Sequence, residues 1–275
     1  MAITVLIDPG NFSTKYVYRY KGEVRVKSFY SITHVFEAMD SPFSSEIKRV
    51  TFKNFDYYIG KEAARFHSNP DLMYMGNTKK GHHEGIIRII AALHEVFRET
   101  GETTFNVVST SPYTSMTKDR EYFEKQLGGQ QQSYVDNQPF NFNIPNFRVA
   151  AEGLGAITFS EVKDCIVVDA GSMTMNILHL INGTINSVRS QTLNGGTVKN
   201  SPFTLANTFS KANPDVEYEQ LILVAGGKGT EVAAALKSIG YEQALAVTLE
   251  DHPAYYVNVV GLFLAFERKF EVLFA

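Results

Sequence analysis

The strongest constraint on how this chain can fold is a turn motif that occurs twice. Each copy has an apolar β-type run that ends in Asp, a Gly two residues later, small hydroxyl or amide residues, and a second run typical of a returning strand. The first copy spans residues 5–20 and the second residues 166–181. The sequence therefore predicts a strand, a tight polar turn and a strand, made twice.

The residue types in these turns suit the binding of nucleotide phosphates. Gly10 and Gly171 allow the backbone to approach an anion closely, and consecutive N–H groups with nearby hydroxyls can then surround phosphate oxygens. The carboxylates of Asp8 and Asp169 can hold Mg²⁺ through its retained waters. Either turn alone is open to a plainer interpretation, because Asp and Gly are common turn formers and such a turn after a strand is usually just a hairpin.

Length and composition predict a globular protein of a reducing compartment. The 275 residues allow two domains of ordinary size or one domain split by a cleft, and 44% of them are hydrophobic. A net charge of −3 argues against a surface that grips DNA directly, since phosphate neutralisation needs clustered Lys and Arg. The one cysteine, Cys165, cannot form an internal disulfide and is predicted to be a core residue.

No segment predicts export or membrane insertion. Residues 1–4 have no basic region or cleavage site, and the apolar stretch 257–266 is interrupted by Asn258 and Gly261 and is too short to span a bilayer. We therefore expect a cytoplasmic protein that makes no membrane contact.

Strand-type and helix-type segments alternate along the chain, which predicts an α/β architecture with mixed sheets and two related lobes beside a cleft. Gly101 is expected to end the strongest helix as its C-cap. The predicted strands outside the two hairpins are 24–29, 57–60, 105–110, 147–150 and 220–225, and the predicted helices are 85–100, 117–127, 197–209, 230–239 and 254–270. A polar loop is predicted at 128–137 and a helix start at Glu152.

A glycine turn follows the second Asp turn. An apolar strand at 221–225 leads into Gly226, Gly227, Lys228 and Gly229, after which a helix is predicted. A helix N-terminus preceded by glycine can receive phosphate or lie against a sugar and base. On its own the pattern is weak, because glycine turns are also ordinary connections between a strand and a helix.

The order of these elements resembles that of the actin-like ATPases. Asp turn, Glu at a helix start, Asp turn and glycine turn follow one another as they do in that family, and the chain looks most like a shortened member of the bacterial plasmid-segregating filament proteins of the ParM type. The matching segments, which extend over nearly the whole chain, are 7–15, 106–113, 166–176, 193–196 and 223–229.

The resemblance implies an α/β, actin-like (ribonuclease H-like, duplicated) two-lobed ATPase fold. The N-terminal lobe would comprise residues 1–150, with a small subdomain inserted at about 30–80, and the C-terminal lobe residues 151–275. The interval between Gly196 and Gly226 must hold one helix and one strand, which leaves no room for the fourth subdomain (IIB) of the family. We therefore expect subdomain IIB to be missing and the adenine to be closed off when a neighbouring subunit docks.

The resemblance also implies roles for individual residues. Asp8 and Asp169 would serve catalysis by orienting hydrated Mg²⁺, and Glu152 would position or activate the attacking water. The alternative for Glu152 is a carboxylate that interacts favourably with a helix N-terminus. The nucleotide would be bound by Gly10, Asn11, Phe12, Ser13 and Lys15 in the first loop, Gly171, Ser172, Met173 and Thr174 in the second, Gly195 and Gly196 before the next helix, and Gly226, Gly227 and Lys228 in the adenosine loop.

Three positions depart from the family pattern. Pro9 replaces a polar residue and removes a backbone donor from the first loop. Phe12 is bulky where a small residue is common, and Lys228 interrupts the usual glycine run. These departures bear on the phosphate contacts and on the base pocket.

The implied function is an ATP hydrolase that polymerises into nucleotide-dependent filaments and drives plasmid DNA segregation. Its cofactors would be Mg²⁺ and ATP, with GTP as the alternative nucleotide. Its partners would be further copies of itself and a DNA-binding adaptor protein, so that plasmid DNA is contacted only indirectly. The alternatives are a sugar or pantothenate kinase of the same superfamily, for which no Asp stands in a recognisable position as base, and a chaperone-type ATPase, for which no substrate domain is expected after the last helix.

Two further patterns have plain interpretations. The run of His82, His83 and Glu84 lacks the spacing of a zinc site on a helix and is predicted to be a polar helix start. An apolar stripe at helical spacing near the C-terminus predicts core packing and could also include a subunit contact. The stripe consists of Tyr255, Val259, Leu262, Phe266 and Phe270.

Overall fold

Two units, each built on its own sheet, make up the part of the chain that the computed structural model describes. That part comprises residues 2–36, 48–66, 80–160, 162–249 and 252–274. The first unit contains residues 1–111 and 115–150, and the second contains residues 112–114 and 151–275. Parts of the expected insertion at about 30–80, namely residues 37–47 and 67–79, lie outside the described residues.

The sheet of the first unit has nine strands among the residues that are described. The strands are β1 (Ile3–Pro9), β2 (Ser13–Tyr20), β3 (Glu23–Tyr30), β4 (Thr33–Val35), β5 (Lys48–Phe52), β6 (Phe55–Ile59), β7 (Thr104–Ser111), β8 (Gly129–Val135) and β9 (Gln138–Ala151). Their order across the sheet is β3-β2-β1-β7-β9-β8-β5-β6-β4.

Helix α1 (His83–Thr100) confirms the strongest helix prediction and supplies much of the core of the first unit. Gly101 adopts the left-handed conformation with φ 75°, and its N–H donates to the carbonyl of Phe97 at 2.7 Å, as a C-cap should. The buried apolar residues of α1 include Ile86, Ile90 and Leu93. The second helix, α2 (Met116–Leu127), also lies where it was predicted.

The predicted loop at 128–137 is wrong, because β8 occupies residues 129–135. Its Gln-rich sequence is polar since one face is exposed, yet both edges are paired, with β9 on one side and β5 on the other. Asp136 and Asn137 form the two-residue turn, both with positive φ, as tight hairpins require. Strand β9 is correspondingly longer than the predicted 147–150.

The second unit holds a six-stranded sheet in its described residues. Its strands are β10 (Cys165–Ala170), β11 (Thr174–Ile181), β12 (Thr184–Ile185), β13 (Gln191–Asn194), β14 (Ile222–Gly226) and β15 (Ala244–Ala246), and its helices are α3 (Pro202–Ala212), α4 (Gly229–Ser238) and α5 (Val257–Phe274). The strand order is β12-β11-β10-β14-β15, with β13 also paired to β11. Cys165 is buried, as predicted.

The two predicted hairpins are present and have the same surroundings. Strand β1 pairs antiparallel with β2 and parallel with β7, and strand β10 pairs antiparallel with β11 and parallel with β14. In each unit the strand that ends in the Asp turn therefore lies between its returning strand and a parallel neighbour. The duplication expected from the sequence is confirmed at the level of strand pairing.

Two helix predictions need correction at their starts. Helix α3 begins at Pro202 rather than near residue 197, because Ser201 caps it by accepting the N–H of Thr204 at 3.1 Å. The helix start predicted at Glu152 is a short 3₁₀-helix, Leu154–Phe159, with Gly153 at φ 90° before it. Glu152 itself lies in the turn that precedes this segment.

Helix α5 packs on that 3₁₀-helix through small residues. Asn258 Oδ1 accepts the N–H of Gly155 at 3.0 Å, and a Cβ at Gly261 would lie 2.0 Å from the carbonyl oxygen of Gly155. Val259 and Leu262 are buried, which confirms core packing for that part of the stripe; the side chain of Phe270 lies outside the description. Among the described residues, no helix combines the length and the apolar character needed to cross a membrane.

Candidate functional site

The first Asp turn places a charged carboxylate at the end of β1. Asp8 is 7% exposed, and its Oδ2 accepts a hydrogen bond from Lys15 Nζ at 2.9 Å. Its Oδ1 accepts hydrogen bonds from Lys80 Nζ and, at 2.8 Å, from Thr110 Oγ1. Burial alone would raise the pKa of Asp8, but the two lysine ammonium groups outweigh it and hold the pKa well below its usual range. Asp8 is therefore an ionised carboxylate inside the fold.

Lys80 is a member of this corner that the sequence analysis missed. It precedes the polar helix start predicted at His82, His83 and Glu84. Lys80 is 6% exposed, and its ammonium group lies against Asp8, 72 residues away in the chain. Its Nζ also donates to Thr110 Oγ1 at 3.3 Å. Nothing in the local pattern around residue 80 signals this pairing, because it is made between segments that only the sheet brings together.

Asp119 anchors the backbone at Lys80. The Lys80 N–H donates to Asp119 Oδ2 at 3.2 Å, and the same oxygen accepts hydrogen bonds from Ser111 Oγ and, at 2.8 Å, from Ser115 Oγ. Gly81 is needed beside it, because a Cβ there would lie 2.7 Å from Asp119 Oδ1 and 2.9 Å from its Cα. The position of the Lys80 side chain is thus defined by a buried polar network.

Arg88 braces the first loop from helix α1. It is 3% exposed; its Nη1 donates to Asn11 Oδ1 at 3.0 Å, and its Nε donates to the carbonyl of Ser31 at 3.1 Å. Its Nη2 pairs with Glu84 Oε2 at 3.2 Å. The guanidinium group therefore ties the loop residue Asn11 to the end of β3 and to α1, a second contribution that the sequence analysis did not identify.

The predicted first-loop residues adopt a tight turn. A Cβ at Gly10 would lie 2.8 Å from the carbonyl oxygen of Ser13, so the turn requires glycine there. Phe12 is 40% exposed and its ring makes an edge contact with Tyr30 at 5.8 Å between centroids. The first loop therefore exposes the aromatic ring of Phe12 beside its backbone groups, at the position where the family commonly has a small residue.

The second Asp turn is joined to the predicted glycine pair. The carbonyl oxygens of Gly171 and Ser172 accept N–H groups of residues 197 and 198 at 2.9 and 3.1 Å, and the carbonyl of Met173 accepts the N–H of Gly195 at 3.0 Å. A Cβ at Gly196 would lie 2.4 Å from the carbonyl oxygen of Gly171. The structure therefore brings two predicted segments, 171–174 and 195–196, into direct contact.

The adenosine-loop residues lie at the end of β14, next to β10. Gly226 has φ 103°, and a Cβ there would lie 2.4 Å from the carbonyl oxygen of Ala170. Lys228 Nζ donates to the carbonyl of Thr197 at 3.1 Å. Lys228 thus reaches the backbone beside the glycine pair, whereas Gly227 is more open, with Tyr255 Cβ at 4.0 Å as the nearest atom to an added Cβ.

Glu152 accepts a hydrogen bond from a side-chain amide. Asn176 Nδ2 donates to Glu152 Oε2 at 2.5 Å, while Asn176 Oδ1 accepts the hydroxyl of Thr192 at 2.7 Å. The next residue, Gly153, has φ 90°, and a Cβ there would lie 3.2 Å from Asp169 Cβ. Glu152 is 7% exposed and Asp169 8%. The second unit therefore sets two buried carboxylate residues on adjoining segments.

The two hairpins correspond residue by residue, and this correspondence identifies Asn176. In the first hairpin Asp8 lies opposite Lys15 across the ladder; in the second, Asp169 lies opposite Asn176. The position that supplies a cation to Asp8 in one unit thus supplies the amide that orients Glu152 in the other. Aligning the two copies of the motif would have singled out Asn176 from the sequence.

These residues fit a magnesium nucleotide. Ionised carboxylate, hydroxyl and backbone oxygen are the donors that Mg²⁺ accepts, and the lysines and close glycine backbones suit phosphates. Within the described ranges no three His, Cys, Asp or Glu residues cluster as a metal site would require.

The comparisons identify the family. The sequence matches the family described as “Actin like proteins N terminal domain” over residues 7–155. The chain superposes on AlfA in a filament bound to AMPPNP with a TM-score of 0.94 and 43% sequence identity, over 100% of both chains. The chain therefore belongs to the actin-like proteins, and the predicted actin-like fold is confirmed.

Within that family the similarity to AlfA is strong. The AlfA filament structure from B. subtilis plasmid pLS32 matches with a TM-score of 0.91 and 43% identity, over 96% of this chain and 98% of that one. An archaeal actin homolog in complex with ADP matches with a TM-score of 0.67 and 17% identity, over 97% and 99% of the two chains, which shows a shared fold. No curated protein matches the sequence.

Proposed function

We propose that this chain is an actin-like ATPase that binds Mg²⁺ and ATP, polymerises into filaments and segregates plasmid DNA. The observation that carries the proposal is the duplicated hairpin. In each copy the first strand carries a buried aspartate near its end, Asp8 or Asp169, and the turn that follows requires a glycine. The full-length similarity to AlfA, one of whose structures is a filament bound to AMPPNP, supports the same conclusion.

In this proposal each group of residues in the chain has its own role in binding the nucleotide and Mg²⁺. Lys15 supplies positive charge to the phosphates, and the turn backbones at 10–13 and 171–174 supply N–H groups. Bound Mg²⁺ would neutralise phosphate charge and orient the reacting phosphate. Asp8 and Asp169 would hold the water ligands of that ion, since each is buried and acceptor-rich when ionised.

Glu152 is proposed as the residue that positions or activates the attacking water. The hydrogen bond from Asn176 fixes one carboxylate oxygen and so orients the carboxylate group. The placement beside Asp169 through Gly153 and the hydrogen bond from the Asn176 amide support this role.

The adenosine would be bound by Gly226, Gly227 and Lys228 with the glycine pair at 195–196. The segment between Gly196 and Gly226 contains α3 as its one helix among the described residues, which supports the proposal that subdomain IIB is missing. A neighbouring subunit would then complete the pocket, and nucleotide affinity would rise with assembly by linkage. We expect ADP or ATP to bind more tightly above the assembly concentration than below it; equal affinity in both regimes would contradict this mechanism.

The proposed activity is tested by light scattering and pelleting of the purified chain with ATP, with ADP and without nucleotide. Polymer that forms with ATP, accompanied by phosphate release, supports the proposal. A monomer in every condition would refute it, and a monomer that transfers phosphate from ATP to a sugar or to pantothenate would assign the fold to a small-molecule kinase instead.

The segregation step is proposed to run through a DNA-binding adaptor in the bacterial cytoplasm. The net charge of −3 supports an indirect link, because direct binding of DNA needs clustered positive charge. Filaments that retain labelled DNA in the absence of any second protein would contradict this part of the proposal.

A further inference from the structure

One carboxylate oxygen of the first unit accepts hydrogen bonds from three different segments of the chain. Asp119 on α2 is 2% exposed. Its Oδ2 accepts the Lys80 N–H at 3.2 Å, the Ser115 hydroxyl at 2.8 Å and the Ser111 hydroxyl. A carboxylate is costly to bury unless it is hydrogen-bonded, and several donors on one oxygen suit a charged acceptor. Asp119 therefore joins the segment before α1, the end of β7 and the residue before α2.

The position of Asp119 in α2 explains only part of this arrangement. Asp119 lies in the first turn of the helix, where a carboxylate interacts favourably with the helix N-terminus. That interaction needs only a negative charge near the end of the helix, and an exposed side chain can supply it. The bonds to Lys80 and Ser111 connect Asp119 to segments outside the helix, so they call for a separate explanation.

The two segments that Asp119 holds are those that supply donors to Asp8. Asp8 Oδ1 accepts hydrogen bonds from Lys80 Nζ and from Thr110 Oγ1. Asp119 Oδ2 accepts the backbone N–H of the same lysine, and it accepts the hydroxyl of Ser111, the residue next to Thr110. One buried carboxylate thus fixes the chain at both places from which Oδ1 of the other carboxylate is held.

The backbone at Lys80 is held from two sides. The Lys80 carbonyl oxygen accepts the N–H of His82 at 2.8 Å, and a Cβ at Gly85 would lie 2.1 Å from that oxygen. On the side of Asp119, Gly81 permits the close approach, because a Cβ there would lie 2.9 Å from Asp119 Cα. A fixed backbone fixes the direction in which the side chain leaves it, so Asp119 helps to aim the lysine at its partner.

We propose that Asp119 is a positioning residue that holds the two donors of Asp8 Oδ1 in place and so orients this carboxylate for hydrated Mg²⁺. The inference rests on the proposed function, in which Asp8 holds water ligands of that ion. Removing a group that orients a metal-site ligand typically lowers metal affinity by about 10- to 100-fold. The bonds of Asp119 are made to segments outside the first loop, so its loss should weaken the response to Mg²⁺ and spare the phosphate contacts of residues 10–13.

The test follows ADP binding by calorimetry in EDTA and over a series of Mg²⁺ concentrations, for the wild type and Asp119→Asn. Asn preserves the shape of the side chain and replaces the charged acceptor by a neutral one. We expect the Mg²⁺ concentration that gives half of the full gain in ADP affinity to rise by about 10-fold. The affinity for ADP in EDTA should stay close to that of the wild type.

Two further variants make the test specific. Ser111→Ala removes one of the three hydrogen bonds and retains Asp119, and we expect a smaller shift in the same direction. Leu127→Ala is the control for stability, because Leu127 is a fully buried residue further along the same helix and its truncation leaves a cavity. Its Mg²⁺ dependence should equal that of the wild type, while circular dichroism melts show how far each variant is destabilised.

Two results would overturn the inference while leaving the nucleotide function intact. The first is an unchanged Mg²⁺ dependence in a folded Asp119→Asn protein or, where that variant does not fold, in Ser111→Ala. The second is an equal shift in Leu127→Ala, which would mean that lost stability alone weakens the response to Mg²⁺. A wild-type chain that does not bind ADP, or binds it with no dependence on Mg²⁺, would refute the proposed function itself.

Discussion

Replacing Glu152 by Gln is the perturbation that most directly tests the chemistry of the second unit. The change removes the negative charge and the capacity to accept a proton, and it preserves the shape of the side chain. Removing a residue that acts in acid–base catalysis slows turnover by about 10²–10⁴-fold. That range corresponds to about 3–5 kcal/mol added to the activation barrier.

The same substitution should disturb the fold only slightly. Asn176 Nδ2 donates to Glu152 Oε2 at 2.5 Å, and Gln offers a neutral oxygen in the same place. A hydrogen bond to a charged group contributes about 1.5–3 kcal/mol and a neutral one about 0.5–1.5 kcal/mol, so the expected loss in the free energy of unfolding is about 1 kcal/mol. The melting temperature should therefore fall by only a few degrees.

The assay compares single-turnover phosphate release from ATP with pelleting of polymer, for wild type and Glu152→Gln. We expect slow release and preserved ATP-dependent assembly. Glu217→Gln is the control, since Glu217 is an exposed glutamate of the same unit, and its release rate should match the wild type. Unchanged phosphate release in a folded, ADP-binding Glu152→Gln protein would refute the reasoning and leave Glu152 as a structural carboxylate.

The remaining predictions concern the loops. Asp8→Asn leaves the buried Lys80 and the partly buried Lys15 without their carboxylate and should lower the free energy of unfolding by about 3–5 kcal/mol at neutral pH. The pKa of Asp8 in the folded state is lowered from an ordinary value of 3.8, so its stabilisation of the wild type is complete above about pH 4 and is lost on further acidification. In urea melts below pH 4, the free energy of unfolding should therefore decline less steeply for Asp8→Asn than for the wild type. An equal decline would count against the pairing. Gly196→Ala brings a Cβ to 2.4 Å from the Gly171 carbonyl oxygen and should lower the free energy of unfolding by about 1–3 kcal/mol. Gly227→Ala, whose added Cβ has its nearest atom at 4.0 Å, should change the melting temperature little. Equal melting temperatures of the two variants would contradict the close contact at Gly196. Arg88→Lys should lower the free energy of unfolding by about 1–3 kcal/mol for each buried acceptor left unpaired and weaken ADP binding, and an unaltered calorimetric profile would show that the arginine does not brace the first loop.

Local patterns in the sequence predicted most elements well. The stretch 85–100 has helical periodicity and a glycine after it, and α1 with its left-handed Gly101 follows from those features alone. The prediction for residues 129–135 was wrong because their Gln residues are typical of a loop, although the pair Asp136-Asn137 was a usable hairpin signal. Polar strands are specified by their neighbours in the sheet rather than by their own hydrophobicity.

For the candidate site, the sequence by itself determined the two Asp turns, their glycines and the order in which they occur. These features are local, since a tight turn depends on the conformational freedom of a few adjacent residues. The strand pairings of β1 with β2 and of β10 with β11 confirm them, and the family follows from the same order of motifs.

Only the tertiary structure decided which side chains complete each turn. Lys80 reaches Asp8, Arg88 reaches Asn11 and Asn176 reaches Glu152 across 72, 77 and 24 residues of chain. A buried ion pair, or a hydrogen bond from a side-chain amide, depends on where strands and helices bring distant segments together. The periodicity of residues along the chain carries no information about such pairings. Neighbouring residues determine the turns, whereas the fold brings to them the charged and amide side chains that complete the candidate site.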